Sequence, residues 1–146
     1  MSEISIFVGT VYGNAQSVAE QAQTKLGTLG HNATVFDDPS VEDFQSASSV
    51  LFITSTTGQG DFPPNIEMFI SDLRDQMPMM NGKEFAVVAL GDSSYGDTFA
   101  AAGKSVFELL TELGGSAITE LKIVDALETY NPEEEVMPWV QDIYQG

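Results

Sequence analysis

The sequence predicts an α/β fold: a doubly wound, five-stranded parallel sheet in the order 2-1-3-4-5. Two observations carry this. Short β-branched, apolar runs alternate along the chain with stretches of helical periodicity, which implies a parallel sheet covered by helices on both faces. Right-handed crossovers then wind it in both directions. Polar, glycine-rich loops also follow the first, third and fourth strands, as in sheets that bind a ligand at one edge. No repeat, linker or low-complexity tract interrupts the 146 residues, so 1–146 is read as a single domain.

The first strand is Ile4–Val8, apolar nearly throughout, which suits a central strand buried on both faces. It breaks into Gly9-Thr10-Val11-Tyr12-Gly13-Asn14. A helix follows, with Ala15, Val18, Ala19, Ala22, Leu26 and Leu29 on one face. Gly27 and Gly30 help to stop it. His31–Phe36 is a shorter, more polar strand suited to an edge, and Pro39–Phe44 is a turn or short helix. Ser49–Thr54 is the third strand, ending in Ser55-Thr56-Thr57-Gly58-Gln59-Gly60-Asp61. Pro63-Pro64 suits a first helical turn, and Ile66, Phe69, Ile70 and Leu73 form that helix's inner stripe before Met77-Pro78 ends it.

Glu84–Leu90 is the fourth strand, followed by Gly91-Asp92-Ser93-Ser94-Tyr95-Gly96-Asp97 and a helix using Phe99, Ala102, Val106, Leu110 and Leu113. Gly114-Gly115 breaks it. Ser116–Val124 is read as one continuous fifth strand. Asn131-Pro132 begins a C-terminal helical segment carrying Val136, Trp139, Val140 and Ile143, which Pro138 either starts or kinks.

Composition narrows function before any motif does. The chain has no cysteine, which excludes disulfides, thiolate metal sites, iron–sulfur clusters and a cysteine nucleophile. Its 22 acids, five bases and formal charge of −17 make nucleic acid and anionic membrane poor partners. A basic protein partner fits such a field, while solubility alone would also account for it. The N-terminus lacks a basic region, and Ile4–Val8 is too short for a signal peptide, so the expected location is cytoplasmic.

In the 2-1-3-4-5 order the first, third and fourth strands are neighbours, so their loops meet at one edge. The first loop enters a helix N-terminus, an arrangement that attracts an anion, usually a phosphate. Gly9–Asn14 lacks the Gly-Lys-Ser/Thr ending of a nucleoside-triphosphate loop and the spacing of a dinucleotide fingerprint. A phosphoreceiver domain needs acids where Gly9-Thr10 and Thr54-Ser55 stand.

Three motifs carry a family resemblance: Gly9-Thr10-Val11-Tyr12-Gly13-Asn14-Ala15, Thr54-Ser55-Thr56-Thr57-Gly58-Gln59-Gly60-Asp61 and Leu90-Gly91-Asp92-Ser93-Ser94-Tyr95. Together they make the chain similar, over essentially its full length, to the short-chain flavodoxins, nearest the MioC-type small flavodoxins. The resemblance implies non-covalent FMN and electron shuttling without substrate chemistry of the protein's own. By motif, the first loop would hold the phosphate through Thr10, Tyr12, Gly13, Asn14 and Ala15, with Val11 also at the cofactor. Ser55, Thr56, Thr57, Gly58, Gln59 and Gly60 would line the flavin from the second loop. From the third side would come Leu90, Gly91, Asp92, Ser93, Tyr95 and Phe99.

Within these sets Tyr95 matches the aromatic that lies on the outer flavin face. Gly58 matches a residue whose peptide can flip toward flavin N5, which glycine tolerates. Many relatives carry an aromatic where Thr57 stands, so the inner face falls to Thr57 or to Phe62, and Phe62 could equally anchor the next helix.

The bases Lys25, Arg74, Lys83, Lys104 and Lys122 all lie outside the three loops, whereas Asp61, Asp92 and Asp97 lie in or beside them. Neutral dipoles would therefore hold the phosphate. Nearby acids would disfavour the negative charge of fully reduced FMN, which implies a low potential for the second electron. Docking partners would be a basic-surfaced flavoprotein reductase and redox enzyme acceptors, with the chain a monomer. The competing reading is an FMN-dependent NAD(P)H oxidoreductase, which would need a second basic site for the nucleotide phosphates. His31 is expected at the surface, Trp139 against the sheet, and Glu133-Glu134-Glu135 on a solvated first helical turn.

Overall fold

Strand alternation decides the layering, because successive side chains of a strand leave on opposite faces. The computed structural model describes residues 3–10, 13–56, 62–91, 100–125 and 132–144, with Asn14 by its backbone alone. The elements are β1 Glu3–Gly9, α1 Asn14–Thr28, β2 Asn32–Phe36, α2 Val41–Ser46, β3 Val50–Ser55, α3 Pro64–Gln76, β4 Glu84–Gly91, α4 Ala101–Glu112, β5 Ser116–Ala117, β6 Lys122–Asp125 and α5 Pro132–Tyr144. The sheet is parallel throughout, ordered β2-β1-β3-β4-β5, with β6 also on β4. This is the expected 2-1-3-4-5 topology.

On one face, Ile4, Ile6, Val8, Leu51, Ile53, Val88 and Leu90 pack under α1 and α5, meeting Val18, Ala22, Leu26, Val136 and Val140. On the other, Phe7, Phe52, Phe85 and Val87 meet Phe44 of α2, Ile66, Phe69, Ile70 and Leu73 of α3, and Val106 and Leu110 of α4. Phe7 is the hub of this second layer: its ring stacks on Phe36, Phe52 and Phe69 at centroid distances of 5.3, 6.0 and 5.5 Å. Such pairs contribute beyond their buried area.

The helix ends follow their residues. Gly30 takes φ 89° after α1, and the amides of Gly30 and His31 close on the carbonyls of Gly27 and Leu26. Gly30 is thus the terminator, and Gly27 lies inside the last turn. The short helix option at Pro39–Phe44 is the one adopted: Ser40 caps α2 through a reciprocal pair with Asp43, at 3.2 and 3.1 Å. Pro138 sits inside α5 rather than starting it.

One element departs from expectation. The fifth strand is not continuous from Ser116 to Val124. Its register on β4 moves from Phe85↔Ala117 to Val88↔Lys122, so residues 118–121 stand opposite only 86 and 87. The extra residues bulge out of the ladder, as edge strands tolerate. Among the described residues no helix is long and apolar enough to cross a membrane.

Candidate functional site

The pairings bring three strand ends together. Gly9 lies opposite Thr54, Ser55 opposite Leu90 and Gly91 opposite Asp125, so the loops after β1, β3 and β4 leave the same edge side by side. The strand order reverses between β1 and β3, where such sheets hold their ligands.

Gly9 must be glycine on packing grounds. A Cβ there would lie 2.4 Å from Thr54 Oγ1 and 2.6 Å from Ile66 Cδ1. Thr54 is fully buried and donates to the Ser55 carbonyl at 2.9 Å, while Ser55 Oγ reaches the Gly9 carbonyl at 3.3 Å. The first two loops are thereby stitched at their roots.

Beyond Gly9, Thr10 Oγ1 accepts from the Gly13 amide at 2.9 Å, and Gly13 takes φ 87° as N-cap of α1. Among the described residues no side chain caps that helix. Its first-turn amides, including that of the buried Ala15, are left for an external acceptor. Thr56 supplies the corresponding cap for α4, its Oγ1 accepting from the Ala102 amide at 3.3 Å.

Asn65 was not among the sequence candidates. It opens α3 behind Pro64, and its side-chain amide contacts the backbone of Val8, Thr10 and Asp37. The only hint in the sequence is an amide directly after Pro63-Pro64, at a helix start facing the first loop.

Of the expected cofactor residues, Thr10, Gly13, Ala15, Ser55, Thr56, Leu90 and Gly91 are described, and all lie along this one edge. Asn14 opens α1 there by its backbone. Val11, Tyr12, Thr57, Gly58, Gln59, Gly60, Asp92, Ser93, Tyr95 and Phe99 lie outside the described residues, as do Asp61 and Asp97.

Phe62 is half-buried against the α3/α4 side of the core, with the Arg74 guanidinium carbon 5.5 Å from its ring centre. His31 is not a free surface residue: it is half-buried, and Nε2 lies 2.7 Å from the Tyr144 carbonyl oxygen. The residue before β2 thereby meets the end of α5. Trp139 packs, partly buried, on the α1/α5 side of the core.

Lys25 lies in the last turn of α1, Lys83 precedes β4 and spends its ammonium on the Gln45 carbonyl at 2.8 Å, and Lys122 starts β6. Arg74 is over Phe62, and Lys104 lies near the start of α4. A groove of about 670 Å³ between α2 and α3, lined by Asp38, Glu42, Met68 and Asp72 among others, adjoins the edge through Asn65.

A doubly wound sheet whose first helix has no capping side chain among the described residues, with loops stitched at their roots at its switch point, defines a class: domains that hold a phosphorylated ligand by backbone dipoles. Within that class the chain belongs to the flavodoxin family, whose model matches residues 6–139. It is 43% identical over 143 residues to Flavodoxin YqcA of Escherichia coli K12, covering 97% of this chain and 95% of that one. It is 31% identical over 143 residues to the Protein MioC homolog of Haemophilus influenzae, covering 98% and 97%. The structure of a cysteine-to-serine mutant of flavodoxin from Pseudomonas aeruginosa superposes with a TM-score of 0.92 at 38% identity, covering 97% of this chain and 96% of that one.

The chain is therefore an FMN-binding electron-transfer protein. The described residues fit the group. The N-terminus of α1, with no capping side chain among the described residues, suits a phosphate, and a Cβ at Gly9 would fill the root of the cradle.

Proposed function

We propose that this protein shuttles single electrons from a flavoprotein reductase to a redox enzyme, docking its loop edge on basic surfaces of both. When bound, FMN supplies the one-electron redox chemistry. The protein contributes the helix amides for the phosphate, loops that orient the ring, and a field that selects partners.

The observation that carries this reading is charge placement. Against a formal charge of −17, four of the five bases sit at far helix or strand ends or are engaged by other groups. The α2–α3 groove beside the loop edge adds Asp38, Glu42 and Asp72. A cationic partner face is drawn to such an edge and oriented by it. With no basic cluster among the described residues to hold NAD(P)H phosphates, electrons arrive through a reductase rather than from the nucleotide. The acids in or beside the loops, Asp61, Asp92 and Asp97, lower the potential of the second electron. The protein works in the cytoplasm as a monomer.

The test is reductase-driven electron transfer followed across ionic strength. Raising salt from about 0.05 to about 0.5 M should raise the KM for this protein several-fold, because screening shortens the reach of the field. NAD(P)H consumption by the pure protein with no reductase, or a KM indifferent to salt, overturns the proposal.

A further inference from the structure

We infer that Asn65 is a positioning residue for FMN: its side-chain amide stands in for a missing β2 peptide and so fixes the phosphate loop through Thr10. The inference rests on the reading of the β1–α1 loop as the phosphate site.

The register explains why a substitute is needed. β1 and β2 pair from Glu3↔Asn32 to Phe7↔Phe36, and there β2 ends. In a parallel ladder each residue uses both its N–H and its C=O on the same neighbour. The Ser5 amide bonds toward β3, so Val8 and Thr10, of the opposite parity, face β2. Continued by the same register, the peptide of Asp38 would donate to the Val8 carbonyl and accept from the Thr10 amide. β2 has left by then, and α3 brings Asn65 to the place.

Its carboxamide reproduces both bonds. Nδ2 donates to the Val8 carbonyl at 2.7 Å, and Oδ1 accepts from the Thr10 amide at 2.9 Å. Nδ2 also donates to the Asp37 carbonyl at 2.9 Å, tying down the strand that has departed. All the hydrogen-bonding capacity shown is complementary: two carbonyls meet the NH₂ group and one N–H meets the oxygen.

The consequence falls on Thr10. With its amide held, Thr10 is set as a continuation of β1, and its hydroxyl can accept from the Gly13 amide at 2.9 Å. That bond turns the chain into φ 87° at Gly13 and aims the α1 terminus. Asn65 acts through Thr10 and leaves the ligand to the loop.

Three measurements decide it, using the full chain with FMN and with riboflavin, which lacks the phosphate. The wild type should bind FMN more tightly than riboflavin. In Asn65→Ala and in Asn65→Asp, which keeps the size but sets a carboxylate against two carbonyls, FMN affinity should fall by about tenfold or more. Riboflavin affinity should stay within about twofold, since the ring loops are untouched. In wild-type protein with FMN bound, the Thr10 amide should exchange slowly with solvent, a readout independent of whether either variant folds.

Unchanged FMN affinity in the variants, or equal losses for FMN and riboflavin, overturns the positioning role. So does fast exchange at Thr10. A wild type that binds both flavins equally instead removes the phosphate-loop reading beneath it, and the two failures are distinguishable.

Discussion

Tyr144 shows how one residue can be set against its surroundings. It is the last residue of α5, its ring is buried, and its hydroxyl has no hydrogen-bond partner among the described residues. Burial first, and Glu84 second, push its phenol well above the usual tyrosine range. The folded value thus exceeds the unfolded value of about 10. The protonated phenol's contribution is intact below about pH 10 and is lost as pH rises from there through the folded value. Tyr144→Phe should therefore remove part of the alkaline loss of stability in denaturant titrations at stepped pH. At neutral pH it should be stabilising by about 1 kcal/mol, because an unsatisfied buried hydroxyl is deleted. A neutral-pH loss above about 1 kcal/mol would mean the hydroxyl is satisfied after all. The sequence marks His31 as a surface residue because it opens an edge strand on the side away from the loops. Its partner, the Tyr144 carbonyl, lies 113 positions away.

At the scale of elements, helix periodicity and strand runs were read well because burial on one stripe or on both faces leaves a local pattern. The inner stripes of α1 and α3 are buried as expected, apart from Leu29, which is partly buried just past the end of α1. Caps borrowed from another element leave no such pattern. Among the described residues the start of α4 has no capping side chain of its own, and Thr56 of the β3 loop supplies one. Thr56→Ala should cost about 1 kcal/mol in thermal or urea unfolding, the usual worth of an N-cap. No change in stability would show that solvent satisfies the Ala102 amide equally well. The break in the fifth strand escaped detection for a related reason. Ser116–Val124 has an ordinary strand composition, and only the shift of register on β4 separates β5 from β6.

At the scale of the whole molecule, charge and topology act together. The sheet is covered on both faces, so the ligand edge is formed where β1, β3 and β4 end. A formal charge of −17 gives the molecule a field unfavourable to further negative charge. Spectroelectrochemical titration should accordingly place the second-electron potential below that of free FMN. A value above it would show that local dipoles outweigh the acids.

The sequence by itself determined the fold class, the three polar loops after the first, third and fourth strands, and an FMN-binding family. Each is written in nearby residues: a period, a turn composition, a motif. Tertiary structure decided what depends on residues far apart in the chain. It placed Asn65 in the rung that β2 vacates, lent Thr56 to α4, stitched Ser55 to Gly9, and tied His31 to the end of α5. A hydrogen bond has no sequence period. It depends on where two backbones pass, and packing sets that only once the sheet has formed.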